Sequence, residues 1–406
     1  MTKAEQLNSV LNIYINDLVP GMFVIGVQKQ SGQLRIKTQG LVKSQGIIEQ
    51  LKSKGILEVQ IDIERSSQEI IDQHNAPEAK VDPIANQGRE KSEGEALIEA
   101  QSLYDKAKMA HKRFLKRMQA GQVGNLDALK QSCNEIIESL FENPNALQCL
   151  ILIKDDQEYL LQHCLNSAIL MGVFAKHSGF DKELINELCL AGLLMDTGMS
   201  TVPKDIYEKP RKLNTKEWSL IKEHVNNGME MVGRIGDLSD TVMSTIANHH
   251  ERLNGTGYPS AKSGEQISVY ARMAAIVDTY DALTSERPWR KSYSPTAALK
   301  HLLADDSGKI DPALVQQFIK CIGVHPVGSL VKLKSERLGI IIKANNTEPL
   351  KPVVMCFYSL PSGLHTELKR VDLSQIQDEI ITSVRPEEFK INLHKFFKEV
   401  FLASIK

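Results

Sequence analysis

The feature that most constrains the fold is a long region, residues 95–323, in which apolar side chains recur at three- and four-residue spacing. This spacing places them on one face of a helix. An example is the run of Leu160, Leu161, Cys164, Leu165, Ala168 and Ile169. The longest uninterrupted apolar runs are much shorter than the ~20 residues that a membrane-spanning helix needs. The pattern therefore predicts a mainly α fold, built as a helical bundle without a membrane span.

The residues before the bundle predict a small α/β domain, residues 1–64, and then a linker, residues 65–94. Short runs rich in Val and Ile, separated by Pro-Gly and Ser-Gly turns, predict strands, and an amphipathic run that stops at Gly55 predicts a helix. The predicted strands are residues 13–15, 22–27, 34–37 and 56–63, and the predicted helix is residues 45–54. Residues 65–94 are polar and contain two prolines and a charged run, a composition typical of linkers.

The residues after the bundle predict a small β appendage, residues 324–385, and then a terminal helix, residues 386–406. Three Val- and Ile-rich runs bounded by Gly, Asn and Pro predict an antiparallel sheet, with strands at 329–333, 338–344 and 352–359. The last segment is amphipathic, and packing against the sheet is a simpler role for its apolar side than partner binding. That side consists of Phe389, Leu393, Phe396, Phe397, Val400 and Phe401.

The composition limits the classes of partner and the compartment. The chain has 49 Lys and Arg against 50 Asp and Glu, a formal net charge of −1, whereas a protein that wraps nucleic acid would be strongly basic. None of its six cysteines forms a Cys-x-x-Cys pair, which argues against a thiolate zinc site and suits a reducing compartment. Because no secretory signal is visible, we expect a cytoplasmic protein that binds no nucleic acid.

The helical region carries ionisable residues that a plain bundle does not need. Asp196 ends the apolar run 188–195, where an unpaired buried carboxylate would be strongly unfavourable. Histidines and aspartates from successive helices form the di-metal sites of some bundles, and this donor set suits iron, manganese and similar divalent ions. The candidate residues are His163, Asp196, His224, His249, His250, Asp278 and Asp281.

Each candidate taken alone has a structural explanation. A single His163 on an apolar face is more often a core histidine than a ligand, and Asp196 can be a helix cap. Asp278 and Asp281 lie three residues apart on one helix face, where salt bridges to Arg272 or Arg287 would suffice. Because several such coincidences would be needed at once, the set as a whole favours a metal centre.

The segment from residue 249 to 259 is far more specific, and it reads His-His-Glu-Arg-Leu-Asn-Gly-Thr-Gly-Tyr-Pro. Here the chain resembles the HD-GYP family, a subgroup of the HD metal-dependent phosphohydrolases that acts on cyclic di-GMP. Residues 275–290 resemble the closing metal-ligand helix of that family and the basic segment after it, and residues 221–224 resemble its middle histidine segment. The resemblance runs from about 150 to 345, and residues 9–64 resemble a small domain that often precedes such modules.

The resemblance implies an HD-type bundle with one or two divalent metal ions, Fe or Mn, that hydrolyses cyclic di-GMP to pGpG or GMP. It assigns Asp196 as the catalytic and bridging carboxylate. It assigns the metal ligands His163, Asp196, His224, His249, His250 and Asp278. From the resemblance and the remaining charges we expect substrate contacts from Tyr258, Asp281, Arg287, Arg290 and Lys291. An ordinary solvated basic face is the alternative for the last three residues.

The chain departs from the family pattern at four positions. The histidine of the family's His-Asp pair is Met195, and the lysine that should follow is Met199. A glutamate that binds a third metal in some members is Tyr159, and the aspartate of the usual Asp-Gly-x-Gly-Tyr-Pro is Asn254. A thioether is a poor ligand for Fe(II) or Mn(II), so Met195 weakens one of the two metal sites.

These departures leave three interpretations of function. The first is a cyclic di-GMP phosphodiesterase of reduced activity, since two-metal hydrolysis needs both ions. The second is a degenerate member that binds cyclic di-GMP or partner proteins without hydrolysis. The third, weaker one is a hydrolase of another phosphorylated or cyclic nucleotide. In the family, diguanylate cyclase domains contact the Gly-Tyr-Pro surface, here Gly257, Tyr258 and Pro259, and a homodimer is also left open.

Overall fold

The computed structural model describes residues 10–15, 18–30, 39–62, 65–67, 92–122, 124–153, 158–287, 289–305, 307–345 and 347–397. The chain forms two compact units, residues 1–90 and residues 91–406. The first holds a small sheet, and the second holds a helical bundle followed by a second sheet. The expected fold class, a helical bundle with a small α/β part before it and a small β part after it, is confirmed.

In its described residues, the N-terminal unit is an antiparallel sheet with one helix. Its strands follow the order β1-β4-β2-β3, and the ranges are β1 Val10–Tyr14, β2 Phe23–Gln30, β3 Gly40–Leu41 and β4 Ile56–Asp62. Helix α1, Gln45–Ser53, ends before Gly55, which has a φ of 75°. The core combines Val24 and Val59 of the sheet with Ile48 of the helix. The strand predicted at 34–37 lies outside the described residues.

The bundle in the second unit consists of helices joined by short turns. Their ranges are α2 Glu93–Gln119, α3 Asp127–Glu142, α4 Pro144–Ile151, α5 Tyr159–His177, α6 Lys182–Leu194, α7 Lys204–Tyr207, α8 Thr215–Lys222, α9 His224–Gly233, α10 Asp240–Asn248, α11 Val269–Thr284, α12 Pro295–Leu303 and α13 Pro312–Ile322. Side-chain caps begin many of them, as Ser92 does for α2 and Asp311 for α13. These caps fix where each helix starts and therefore where the turns between helices lie.

Helix α5 is the centre of the bundle. Its residues from Gln162 to Ala175 are all buried, because it is apolar on every side and therefore cannot have a solvated face. It packs along α6 and also contacts α11. This arrangement carries the polar residues of α5, among them His163, into the protein interior, where they need polar or ionic partners.

The β appendage is an antiparallel sheet with the order β8-β7-β6-β5-β9. Its strands are β5 Leu330–Leu333, β6 Arg337–Lys343, β7 Val353–Ser359, β8 Leu364–Asp372 and β9 Ile380–Ser383. Its buried side chains, such as Val331 and Ile340, belong to the same apolar cluster as Phe318 of α13. Strands β8 and β9 were not predicted from the sequence, because β8 exposes most of its residues and shows little apolar alternation.

The predicted terminal helix over 386–406 is wrong in its described part. Residues Pro386–Phe389 form a short 3-10 turn, Lys390 adopts a left-handed conformation with a φ of 55°, and helix α14 spans only Leu393–Phe396. Asn392 explains the break, because its side chain accepts a hydrogen bond from the Lys395 N–H and so starts a new helix. Phe396 and Phe397 are buried, whereas Val400 and Phe401 lie outside the described residues.

Candidate metal centre

Two groups of candidate metal ligands meet inside the bundle and share one carboxylate. The first group is His163, Asp196 and Asp278, and the second is Asp196, His224, His249 and His250. Within each group the candidate ligand atoms all lie within 4.8 Å of one another. Asp196 belongs to both groups, which is the arrangement required of a residue that bridges two ions.

The first group is built around the ring of His163. Its Nε2 lies 3.1 Å from Asp196 Oδ2 and 3.2 Å from Asp278 Oδ1. His163 lies in α5, Asp278 lies in α11, and Asp196 follows the end of α6. Three separate helices therefore place one imidazole nitrogen and two carboxylates around a single point in the core.

The second group surrounds the other oxygen of Asp196. His224 Nε2 lies 3.4 Å from Asp196 Oδ1 and 3.4 Å from His249 Nε2. His250 Nδ1 lies 3.6 Å from Asp278 Oδ2, so His250 also approaches the first group. His224 begins α9, and His249 and His250 directly follow α10.

Backbone carbonyl groups orient two of these histidines. His224 Nδ1 lies 2.7 Å from the Ile221 carbonyl oxygen, and His249 Nδ1 lies 2.6 Å from that of Ile246. In the tautomer that makes these hydrogen bonds, Nδ1 donates and Nε2 keeps its lone pair. Such a second contact fixes the ring and the tautomer in most metal-binding histidines. Both rings therefore present Nε2 toward Asp196 as a ligand.

Asp281 lies behind His163 instead of at the substrate surface. Its Oδ2 is 2.7 Å from His163 Nδ1, its Oδ1 accepts a hydrogen bond of 3.0 Å from Asn166, and Asn166 in turn accepts one of 2.9 Å from the Tyr104 hydroxyl. Asp281 is 0 % exposed. The expected substrate contact is therefore corrected to a positioning role, because a fully buried carboxylate cannot touch a bound nucleotide. A carboxylate that holds a histidine ligand in this way raises the ligand's basicity.

The electrostatic environment favours the metal-binding forms of Asp196, His249 and His250. Burial opposes the ionisation of Asp196, but the hydrogen bond and charge of His163, with the charge of His224, hold its pKa well below its usual range. Burial lowers the pKa of His249, and burial together with the charge of His249 lowers that of His250 well below its ordinary value. An ionised carboxylate and neutral imidazoles are the protonation states that coordinate a metal. Burial opposes protonation of His163, but Tyr159 and the hydrogen bonds to Asp196 and Asp278 raise its pKa well above its ordinary value, so a metal ion there would displace a proton.

The donor set fits divalent metal ions. The second group offers three imidazole nitrogens and one carboxylate, and the first offers one imidazole and two carboxylates. Nitrogen and oxygen donors of this kind suit borderline divalent ions of the first transition series. Met195, which stands where the family places a further histidine, is fully buried and belongs to the apolar core of the bundle. The second group is therefore the more complete of the two.

A close backbone contact at Gly198 sets the distance between Asp196 and His224. Gly198 lies in the 3-10 turn Thr197–Thr201 that follows Asp196, and this turn packs on α9. A Cβ at Gly198 would lie 1.9 Å from the His224 carbonyl oxygen and 2.5 Å from the Gly228 amide nitrogen. Only glycine allows the two backbones to approach in this way.

Gly198→Ala is therefore expected to push the turn away from α9 and to lower both stability and metal binding. We expect a loss of at least about 2 kcal/mol in the free energy of unfolding, as for other overpacked sites. Gly233→Ala is the matched control in α9, because its Cβ would meet nothing within 4 Å and alanine favours the helix. Thermal unfolding and metal content per chain test this, and equal behaviour of the two variants would contradict it.

Tyr258, the predicted substrate contact, lies beside the second group. Its ring stacks on that of His250 with a centroid distance of 4.7 Å and an angle of 26°. Glu251 shapes the loop that carries it, because its two carboxylate oxygens accept hydrogen bonds from the Ser260 and Lys262 amides at 2.7 and 3.0 Å. A Cβ at Gly257 would lie 2.5 Å from Glu251 Cα, so the loop also needs this glycine. Glu251 was not predicted to have a role.

Arg287 approaches the first group through an aromatic side chain. Its guanidinium carbon lies 3.9 Å from the centre of the Tyr159 ring, and that ring stacks on His163 at 5.6 Å and 14°. The guanidinium is held by a cation–π contact of the kind that arginine often makes. Tyr159 stands where some family members have the glutamate that binds a third metal. It therefore holds the positive charge of Arg287 beside the metal centre.

Arg290 and Lys291 are also predicted to contact the substrate, and the structure gives their neighbours. The Arg290 guanidinium donates to the Ala282 carbonyl at 2.6 Å. Both residues line a cavity that also includes Ser383 and Arg385 of the β appendage, and none of the six proposed metal ligands is among its described lining residues. Arg290 is paired with Arg287 by two backbone hydrogen bonds of 3.0 Å, and substrate contacts of Arg290 and Lys291 stay predictions.

One aromatic residue near the centre was missed in the sequence. Trp218 on α8 is 47 % exposed, and its ring meets that of Tyr258 at 6.4 Å and 83°. It lies six residues before His224. The signal that could have identified Trp218 is a large apolar side chain on the solvent-facing side of a short polar helix.

Comparisons with known proteins identify the class of the bundle. Residues 148–314 match the family described as an HD domain. Residues 11–129 match a domain of unknown function, DUF3391, which includes the N-terminal sheet. The chain is therefore an HD domain protein, the class that binds divalent metal ions through His and Asp side chains.

Relatives place it more narrowly. The chain is 33 % identical over 353 residues to the cyclic di-GMP phosphodiesterase PA4108 of Pseudomonas aeruginosa. This alignment covers 86 % of this chain and 85 % of that protein. It is 32 % identical over 164 residues to 3'3'-cGAMP-specific phosphodiesterase 1 of Vibrio cholerae, covering 40 % of this chain and 38 % of that one. A solved HD-GYP-type structure from Bdellovibrio bacteriovorus is 17 % identical, with a TM-score of 0.48, over 76 % of this chain and 98 % of that one. The chain belongs to the HD-GYP family, and the resemblance seen in its sequence is confirmed.

Among the helices in the described ranges, none is long and apolar enough to cross a membrane. All six cysteines lie in those ranges, and each is a free thiol. Cys149, Cys164 and Cys189 are completely buried, so they serve as core side chains.

Proposed function

We propose that this protein binds cyclic di-GMP at the metal centre and hydrolyses it slowly, to pGpG or GMP, as an HD-GYP phosphodiesterase with one weakened metal site. The observation that carries the proposal is the position of Asp196 between two groups of ligands. Two adjacent metal sites joined by one carboxylate suit hydrolysis of a phosphodiester, because both the attacking and the leaving oxygen need stabilisation. The name of the Pseudomonas aeruginosa relative supports cyclic di-GMP as the substrate.

The proposed ligands divide between two ions, Fe or Mn. His163 and Asp278 would hold one, His224, His249 and His250 would hold the other, and Asp196 would contribute to both. When bound, such ions lower the pKa of a coordinated water and offset the negative charge of the phosphate. The chain's own contribution is to keep the site dry and the ligand rings fixed, through burial and through the contacts at Asp281, Ile221 and Ile246.

The two methionines support reduced turnover. Met195 offers no nitrogen to the first group, and a thioether is a poor ligand for these ions. Met199 packs with the apolar cluster of Val202, Ile206 and Ile221, so no cation stands where the family has its lysine. Loss of one electrostatic contact to the transition state commonly lowers the rate by about 10²–10³-fold.

A second candidate function is a module that binds cyclic di-GMP or a protein partner without hydrolysis. Met195 and Met199 favour it. The loop of Gly257, Tyr258 and Pro259 would be the surface for a partner such as a diguanylate cyclase domain, since Tyr258 remains partly exposed there. Both candidates place the protein in the cytoplasm, which agrees with its free cysteines.

Assays on purified protein, loaded with Mn(II) or, under anaerobic conditions, with Fe(II), distinguish slow hydrolysis from binding without hydrolysis. During incubation with cyclic di-GMP, chromatography should show slow loss of the substrate and appearance of pGpG or GMP. Calorimetry should detect binding of cyclic di-GMP. Binding without product over many hours would favour the second function. If the metal-loaded protein neither binds nor consumes cyclic di-GMP, the first function is rejected, and only the binding of a protein partner is left of the second.

A further inference from the structure

The exposed indole of Trp218 is unusual for this chain. Only 5 % of the residues are aromatic and only two are tryptophans, yet Trp218 leaves 47 % of its surface in solvent. The buried residues of α8 are Glu217 and Ile221, which face the protein. Trp218 therefore adds little to the packing of its own helix, and its position needs another explanation.

The ring of Trp218 stands at the outer end of a row of rings that leads into the metal centre. It meets Tyr258 nearly at a right angle, at 6.4 Å and 83°, and Tyr258 stacks on the proposed ligand His250 at 4.7 Å. Trp218 and Tyr258 thus form two walls of a corner that opens to solvent. The Lys222 ammonium lies 6.0 Å from the Tyr258 ring centre and adds positive charge to the same corner.

Helix α8 holds this corner rigidly. Asn214 and Glu217 form a reciprocal cap at its start. The Glu217 carboxylate also accepts hydrogen bonds from the two terminal guanidinium nitrogens of Arg211, at 2.9 and 2.8 Å, and from Lys209 at 2.5 Å. Because the residue next to Trp218 is anchored, little conformational freedom is lost when a ligand binds to the indole.

We propose that Trp218 and Tyr258 form the subsite for one purine base of the cyclic dinucleotide, with the base stacked in the corner while the adjacent phosphate faces the metal ligands. The subsite rests on the proposed function, since it belongs to the same substrate. Every nucleobase has a flat π face, and stacking on an aromatic side chain stabilises it in water. A protein partner would also accept an exposed indole, but the direct contact of Tyr258 with a metal ligand favours the substrate.

Binding of cyclic di-GMP to the full-length, metal-loaded protein tests the subsite. Trp218→Ala should raise Kd by roughly 5- to 100-fold, the range that one lost base stack implies, and Trp218→Phe should recover most of the affinity. Leu220→Ala is the matched control, because Leu220 is equally exposed, at 49 %, on another side of α8. Metal content should be the same in all variants, since Trp218 touches no proposed ligand directly.

Fluorescence gives an independent readout, because the chain has only two tryptophans. In a Trp289→Phe background, Trp218 is the single indole, and cyclic di-GMP should quench it with the same Kd that calorimetry gives. Unchanged affinity in Trp218→Ala would overturn the subsite alone and would leave the indole as a protein-docking residue. Parallel loss of metal and affinity would overturn it in favour of a structural role. If the unsubstituted protein binds no cyclic dinucleotide, the proposed function is rejected together with its subsite.

Discussion

Asp196→Ala is expected to remove metal from both sites and to abolish hydrolysis of cyclic di-GMP. Asp196 is the one residue that belongs to both ligand groups, with Oδ2 at 3.1 Å from His163 and Oδ1 at 3.4 Å from His224. Without it each group loses a carboxylate, and His224 and His249, whose Nε2 atoms lie 3.4 Å apart, lose the carboxylate beside them. Metal content per chain, measured after dialysis, should fall to background, and any turnover should become undetectable.

The same contacts also predict that Asp196→Ala lowers the stability of the fold. The pKa of Asp196 lies well below its usual range, so its ionised form stabilises the folded protein at neutral pH. Its removal leaves His163 with Asp278 and Asp281 only. We therefore expect unfolding at a lower temperature, and addition of Mn(II) should no longer raise it.

Asp205→Asn is the control for this variant, because Asp205 is an exposed carboxylate on α7 close in the sequence to the same turn. It should keep its metal and its activity. If Asp196→Ala retained one ion per chain, the second group of three histidines would be sufficient by itself. In that case the bridging role assigned to Asp196 would be wrong.

The sequence predicts the bundle because its helices carry long, regular apolar patterns. It also predicts the ligands from a specific motif and from charges placed in apolar surroundings. His163 and Asp196 illustrate this, since each is an ionisable residue in or at the end of an apolar run. The structure adds that these side chains converge, which spacing along a chain cannot show. His163 and Asp278 are 115 residues apart but only 3.2 Å apart in space.

What the sequence does not predict depends on contacts between distant elements. Asp281 lies one turn from Asp278 and has the same residue type, yet it points behind His163, because Asn166 and Tyr104 hold it there. The proposed role of Trp218 depends on its ring contact with Tyr258, which is 40 residues away in the sequence. The terminal helix is broken at Asn392, where a local side-chain cap outweighs the amphipathic pattern.

Met195→His is expected to complete the first ligand group and to raise both metal content and activity. Met195 directly precedes Asp196, and its side chain is fully buried. A buried imidazole without a partner costs about 1–3 kcal/mol, so the metal-free variant should be less stable than the unsubstituted protein. Bound metal should reverse this loss, and the stability of the variant should therefore depend more strongly on Mn(II) or Fe(II).

Addition of Met199→Lys to Met195→His should restore the missing positive charge and increase turnover of cyclic di-GMP by roughly a further 10²-fold, the usual size of such a contact. Met195→Leu is the matched control, because leucine has nearly the same volume as methionine and offers no ligand atom. It should leave metal content and rate unchanged. If Met195→His bound no additional metal while the fold stayed intact, position 195 would not face the first group. The low activity expected of this chain would then need a cause other than the loss of that nitrogen, and the second function, binding without hydrolysis, would lose its main physical argument.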